Sequence, residues 1–100
     1  MTLLCMQNGP VEDDLKNNLV PFLQSDMDLQ EAYLLRAKYE DGSDHVVLAL
    51  FSTKTNIALV EKINRVFESM FASNNALDIT FMNSEMQKQA NAIGVPFYKR

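Results

Sequence analysis

The chain has 100 residues and a mass of 11.4 kDa, with 47% hydrophobic and 22% charged residues, which leaves room for one globular domain and excludes both a second core and a disordered chain. Nine Lys and Arg stand against thirteen Asp and Glu, a net charge of −4. That balance argues against non-specific nucleic-acid binding, which needs clustered positive charge.

Thr2 to Gln7 is a short apolar run (Leu3, Leu4, Cys5, Met6) closed by Asn8-Gly9-Pro10, and reads as a first strand. From Val11 to Gln24 the apolar residues Val11, Leu15, Leu19, Phe22 and Leu23 recur at helical spacing. Pro10 suits a first helical position, and Glu12, Asp13 and Asp14 complement the N-terminal dipole. Pro21 conflicts with the helix and predicts a kink or break there. Glu31 to Tyr39 alternates, with Tyr33, Leu35, Ala37 and Tyr39 on one face and Leu34, Arg36 and Lys38 on the other. Glu40-Asp41-Gly42-Ser43-Asp44 then signals a hairpin. His45 to Phe51, apolar on both faces from Val46 onward, predicts a strand in the sheet centre.

Ser52 to Ser73 predicts a long helix with the stripe Leu59, Val60, Ile63, Val66, Phe67 and Met70, closed by Asn74-Asn75. Leu59, Ile63, Phe67 and Met70 are the expected core contacts. Leu77 to Met82 alternates as a half-buried strand, with Leu77, Ile79 and Phe81 inward. Ser84-Glu85-Met86-Gln87 has the form of a capping box and opens a helix to Ile93, with Gly94 as its stop. Phe97 and Tyr98 are left to pack back onto the body. The expectation is one α/β (α+β) domain over residues 1–100, a mixed four-stranded sheet with three helices in the order β-α-β-β-α-β-α.

Chemistry is sparse. A single cysteine permits no intrachain disulfide and suits a reducing cytosol. No signal peptide or membrane-spanning run is present, so the chain reads as a whole small cytoplasmic protein. Cys5, His45 and Asp44 are the residue types of cysteine catalysis, but nothing in their spacing joins them, and Cys5 reads as core filler. One Cys and one His cannot build a zinc site without several carboxylates, and Glu40, Asp41 and Asp44 could hold a hard cation only weakly, since the twelve-position calcium loop is absent. Gly9, Gly42 and Gly94 form no phosphate-cradling loop. No catalytic, cofactor or metal residue is assigned.

Two features point to binding. One is an acidic rim of Asp26, Asp28, Glu31, Glu40, Asp41 and Asp44, within a first half whose net charge is −6 against +2 for the second. The other is the tail Pro96-Phe97-Tyr98-Lys99-Arg100, where Tyr98 and Arg100 are residue types favoured at interfaces. Phe97 and Tyr98 are also expected to seal the domain edge, leaving Lys99 and Arg100 solvated.

At Glu31-Ala32-Tyr33-Leu34, Asp41-Gly42 and Pro96-Phe97-Tyr98-Lys99-Arg100, the sequence resembles the C-terminal domain of the SseB family, named for enhanced serine sensitivity in bacteria. The likeness runs over roughly residues 9–100 and departs from larger members in lacking their additional N-terminal domain. It implies a cytoplasmic bacterial protein and carries over no catalytic residues. The expected function is a non-enzymatic protein-binding module, foremost an immunity or antitoxin protein that neutralises a basic toxin domain. The alternative is an accessory or regulatory protein in amino-acid stress.

Overall fold

The computed structural model describes residues 2–71 and 77–100. The elements are β1 (Thr2–Met6), α1 (Pro10–Gln24), β2 (Leu29–Lys38), β3 (Asp44–Ser52), α2 (Ile57–Met70), β4 (Asp78–Phe81), α3 (Ser84–Ile93) and β5 (Tyr98–Lys99). The expected order is present, and a short fifth strand follows it. The sheet runs β1-β2-β3-β4, with β5 also on β2. β1, β3 and β5 are antiparallel to β2, and β3 and β4 are parallel, joined through α2.

Period-two alternation divides the core. Ala32, Leu34, Leu48 and Leu50 face α1 and α2, where they meet Leu15, Leu19, Leu23, Leu59 and Ile63. Tyr33, Leu35 and Ala49 face the other side, where Ala90, Met86 and Ile93 of α3 pack with Leu3 and Met6 of β1. The sheet therefore lies between two helices on one face and one on the other. Both central strands are buried on both faces, as the apolar run of β3 requires.

Several local details differ from expectation. Of the kink or break expected at Pro21, the break is absent: α1 runs on to Gln24. Pro21 is exposed, while Leu19 and Leu23 on either side are fully buried. Burying two leucines contributes roughly 3–6 kcal/mol, enough to offset a proline cost of about 3 kcal/mol. Val11, assigned to the core face, is 52% exposed.

α2 begins at Ile57 rather than Ser52, because β3 extends its ladder to Ser52 opposite Leu29. Asn56 caps the helix by accepting the Leu59 N–H at 3.1 Å. Leu59 and Ile63 are buried, but Phe67 and Met70 are only partly so. The helix ends at Met70, with Phe71 in extended conformation; Asn74 and Asn75 lie outside the described residues.

α3 is capped by Asn83, one residue before the expected Ser84, through the Met86 N–H at 2.8 Å. Gly94 ends it in extended rather than left-handed backbone. The position calls for glycine because a Cβ there would lie 2.3 Å from Met6 Cγ and Sδ.

Cys5 is exposed, not core filler. β1 lies at the edge of the sheet, and a bulge between Leu3 and Cys5 shifts its register. Leu3 and Met6 thereby reach the core while Leu4 and Cys5 do not.

Candidate functional site

The acidic residues do not form one rim. Asp26 and Asp28 precede β2, whereas Glu40 and Asp41 lie beyond its far end and Asp44 lies opposite its last residue, Lys38. A ten-residue strand separates the two groups, about 30 Å of extended chain.

The first group serves the fold. Asp26 is 8% exposed. Its Oδ1 accepts the Asp28 N–H at 2.9 Å and its Oδ2 accepts Asn56 Nδ2–H at 3.2 Å, tying the α1–β2 connection to the cap of α2. Asp28 Oδ1 accepts Thr53 Oγ1–H at 3.0 Å. Arg100 is engaged here rather than free: Nη2 donates to the Asp26 carbonyl at 2.6 Å and Nε to the Leu29 carbonyl at 3.0 Å. Tyr98 pairs with Ala32 in the ladder and packs half-buried on the α1–α2 side of the core. Lys99 is exposed, as expected.

Glu31, 6% exposed, sits beneath α3. Its Oε1 accepts Gln87 Nε2–H at 2.8 Å. The Tyr33 hydroxyl lies 3.3 Å from the same oxygen and also bonds Asn91 Oδ1. Burial, reinforced by the Glu31 charge, pushes the Tyr33 phenol up to about 12. Asp26 and Glu31 are thus not available as an exposed contact surface, because neutral donors satisfy both inside the fold.

The hairpin end is different. Glu40, Asp41 and Asp44 are all exposed. Asp41 Oδ1 accepts the Ser43 hydroxyl at 2.6 Å and the Ser43 N–H at 2.9 Å, which hold its carboxyl below the usual carboxylate range. Ser43 Oγ lies 2.9 Å from His45 Nε2, and His45 Nδ1 lies 3.8 Å from Asp78 Oδ2. The Tyr39 hydroxyl donates to the same Asp78 oxygen at 2.9 Å. Burial first, and then this bond, raise the Tyr39 phenol.

The row Ser43–His45–Asp78 has the residue types of a hydrolytic triad. Ser43 Oγ also lies 2.6 Å from Asp41 Oδ1, so the hydroxyl is shared between Asp41 and His45, and the histidine tautomer sets the direction of the Ser43–His45 contact. Cys5 is no nearer to this histidine, since the register places β2 between β1 and β3. Among the described residues no group of three or more His, Cys, Asp or Glu could hold a metal ion. No helix there is long and apolar enough to cross a membrane.

Beside the hairpin base is a cavity of about 350 Å³, bounded by Gln7, the start of α1, β2, β3 and the end of α2. Its floor is apolar and includes Leu15, Leu34, Phe67 and Phe71, the two phenylalanines stacked at 4.6 Å. Its wall is polar. Arg36 Nε–H donates to Gln7 Oε1 at 3.3 Å, and Gln7 Nε2–H donates to Glu12 Oε2 at 3.3 Å. Asp44 and His45 complete the wall.

Gly9 permits the Glu12 placement. Its φ is +154°, and a Cβ there would lie 2.8 Å from Glu12 Oε1. The sequence carried one signal of this cavity: Arg36 follows Ala32 and Leu34 on the strand face that meets the helices. A charge at that step needs polar company or open space.

Comparison with protein-family models, with curated proteins and with solved structures finds no match.

Proposed function

We propose that the chain is a non-enzymatic protein-binding module of the immunity type, which takes a basic toxin domain on its hairpin end. One observation carries this reading. Glu40, Asp41 and Asp44 are exposed together, and among the described residues no Lys or Arg nitrogen lies within 4.0 Å of a carboxylate. Lys38 lies opposite Asp44 in the ladder but forms no ion pair with it. Uncompensated surface carboxylates attract a basic partner at long range and raise its association rate.

The test is to read the neighbouring gene for a basic toxin domain and to measure that domain's association rate with this chain across a salt series; a neighbour that encodes no such domain counts against the reading. Wild type associates more slowly as the screening length falls from about 10 Å at 0.1 M to about 3 Å at 1 M salt. The Asp41→Asn/Asp44→Asn double variant associates slowly throughout, with a weaker salt dependence. Asp26→Ala/Asp28→Ala loses stability instead, because those carboxylates accept internal bonds. A salt-independent wild-type rate, or an Asp41/Asp44 variant that matches wild type, removes the electrostatic account.

A further inference from the structure

We propose that the cavity beside the hairpin binds a small zwitterion with an apolar side chain, an α-amino acid of the leucine or phenylalanine kind. The inference is independent of the protein-binding reading, and each can fail without the other.

The wall of the cavity holds opposite charges apart. Arg36 is partly buried, and its one side-chain hydrogen bond among the described residues is made by Nε. A guanidinium has five N–H donors in a fork that matches a carboxylate, so the outer edge of the fork has no described protein partner. Glu12 accepts a bond from Gln7 and has no ion pair among the described residues. Gln7 stands between the two and bonds to both, so cation and anion share one wall with an amide as spacer.

Unlike charges beside an apolar floor are poorly served by solvent and gain when a counter-charge reaches them. A ligand carrying both charges satisfies both at once: its carboxylate meets the Arg36 fork, and its ammonium meets Glu12. A fatty acid would leave Glu12 unmatched, and a simple amine would leave Arg36 so.

The floor sets the rest of the ligand. Leu15, Leu34 and the stacked Phe67–Phe71 pair offer an apolar surface to a side chain. The volume lies at the small end of the range for ligand pockets, about 300–1,000 Å³, and has room for one amino acid. His45 is turned to other work, with one ring nitrogen on Ser43 and the other toward Asp78.

The experiment is an NMR titration of the full ¹⁵N-labelled chain with L-phenylalanine and L-leucine. 3-Phenylpropionate, which lacks the ammonium, and phenethylamine, which lacks the carboxylate, are the controls. The expected result is saturable shifts at the Gln7 side-chain amide, Arg36 Nε–H and the Phe67 and Phe71 amides. Both single-charge analogues should bind at least about tenfold more weakly. Arg36→Gln should weaken phenylalanine binding by about tenfold or more with the spectrum otherwise dispersed as in wild type. If that variant does not fold, the analogue series on wild type decides alone. The proposal is overturned if neither amino acid causes shifts at about 10 mM, ten times a weak Kd of about 1 mM. It is equally overturned if the shifts map away from the cavity, or if either analogue binds as well as the amino acid. Equal binding of phenethylamine would mark a site for a cation alone, such as a basic side chain of a protein partner.

Discussion

Arg100 reaches back to Asp26, donating Nη2–H to its carbonyl at 2.6 Å while Nε–H meets the Leu29 carbonyl at 3.0 Å. The tail thereby fastens the turn between α1 and β2. Because Arg100 is exposed, Arg100→Ala is expected to cost about 1.5–2 kcal/mol, the lower part of the range for bonds from a charged donor. Each kcal/mol lowers Tm by roughly 4–8 °C in a domain of this size. Deleting residues 96–100 should cost more, since Phe97 and Tyr98 also leave the core. Thermal melts of both variants check this; an unchanged Tm in the truncated chain contradicts the packing of the tail.

On α2 the expected losses are graded. Ile63 is fully buried, whereas Phe67 is only partly buried and borders the cavity. Ile63→Ala should cost about 2–5 kcal/mol. Phe67→Ala should fall below the roughly 3–5 kcal/mol of a fully buried phenylalanine. Urea titration of the two variants settles the order, and a larger loss at Phe67 would mean that the helix presents a different face.

The Tyr33 phenol gives the fold an alkaline limit. The unfolded phenol ionises near its ordinary value of 10, whereas the folded one holds its proton to about 12. Between these values the folded chain binds more protons than the unfolded one. The stabilisation is therefore complete below about pH 10 and is lost as pH rises toward about 12. The two-unit gap corresponds to about 2–3 kcal/mol. Tyr33→Phe should be less stable at neutral pH by about 1–3 kcal/mol, having lost a buried donor, but should lose less on going to high pH. Tyr39, also raised, leaves a residual slope. Equal slopes in wild type and Tyr33→Phe would contradict this account.

The exposed edge position of Cys5 has a direct chemical readout. A small thiol reagent should label it fully without denaturant, and mild oxidation should yield a disulfide-linked dimer. Cys5→Ala should change stability by no more than about 0.5 kcal/mol, as surface substitutions usually do. Labelling that appears only on unfolding would place β1 in another register.

The order of elements was legible because each long segment carries its own period: two at Tyr33–Leu35–Ala37, near four at Leu15–Leu19–Leu23. What was not legible depends on partners distant in sequence. β5 is two residues long and exists only through its pairing with Glu31 and Ala32. The bulge that turns Cys5 outward arises from β1 meeting β2. Asn56 and Asn83 displaced the expected helix starts because neighbouring strand ends set where each helix begins. In the candidate site, exposure of Glu40, Asp41 and Asp44 followed from the hairpin. Burial of Asp26 and Glu31 depended on Asn56 and Gln87, which supply donors from other elements.

β1 and β5 lie end to end along one edge of β2, the first opposite Leu35–Lys38 and the second opposite Glu31 and Ala32. They act as one strand cut in two and supplied from opposite ends of the sequence. During synthesis β1, β2 and β3 can pair once Ser52 has emerged, but the Glu31–Ala32 half of that edge stays bare until residues 97–100 arrive. At about 5–20 residues per second this interval lasts roughly 2–10 s. For that time the growing chain presents unpaired backbone groups that could template another strand, a hazard the finished molecule no longer shows at this stretch of β2.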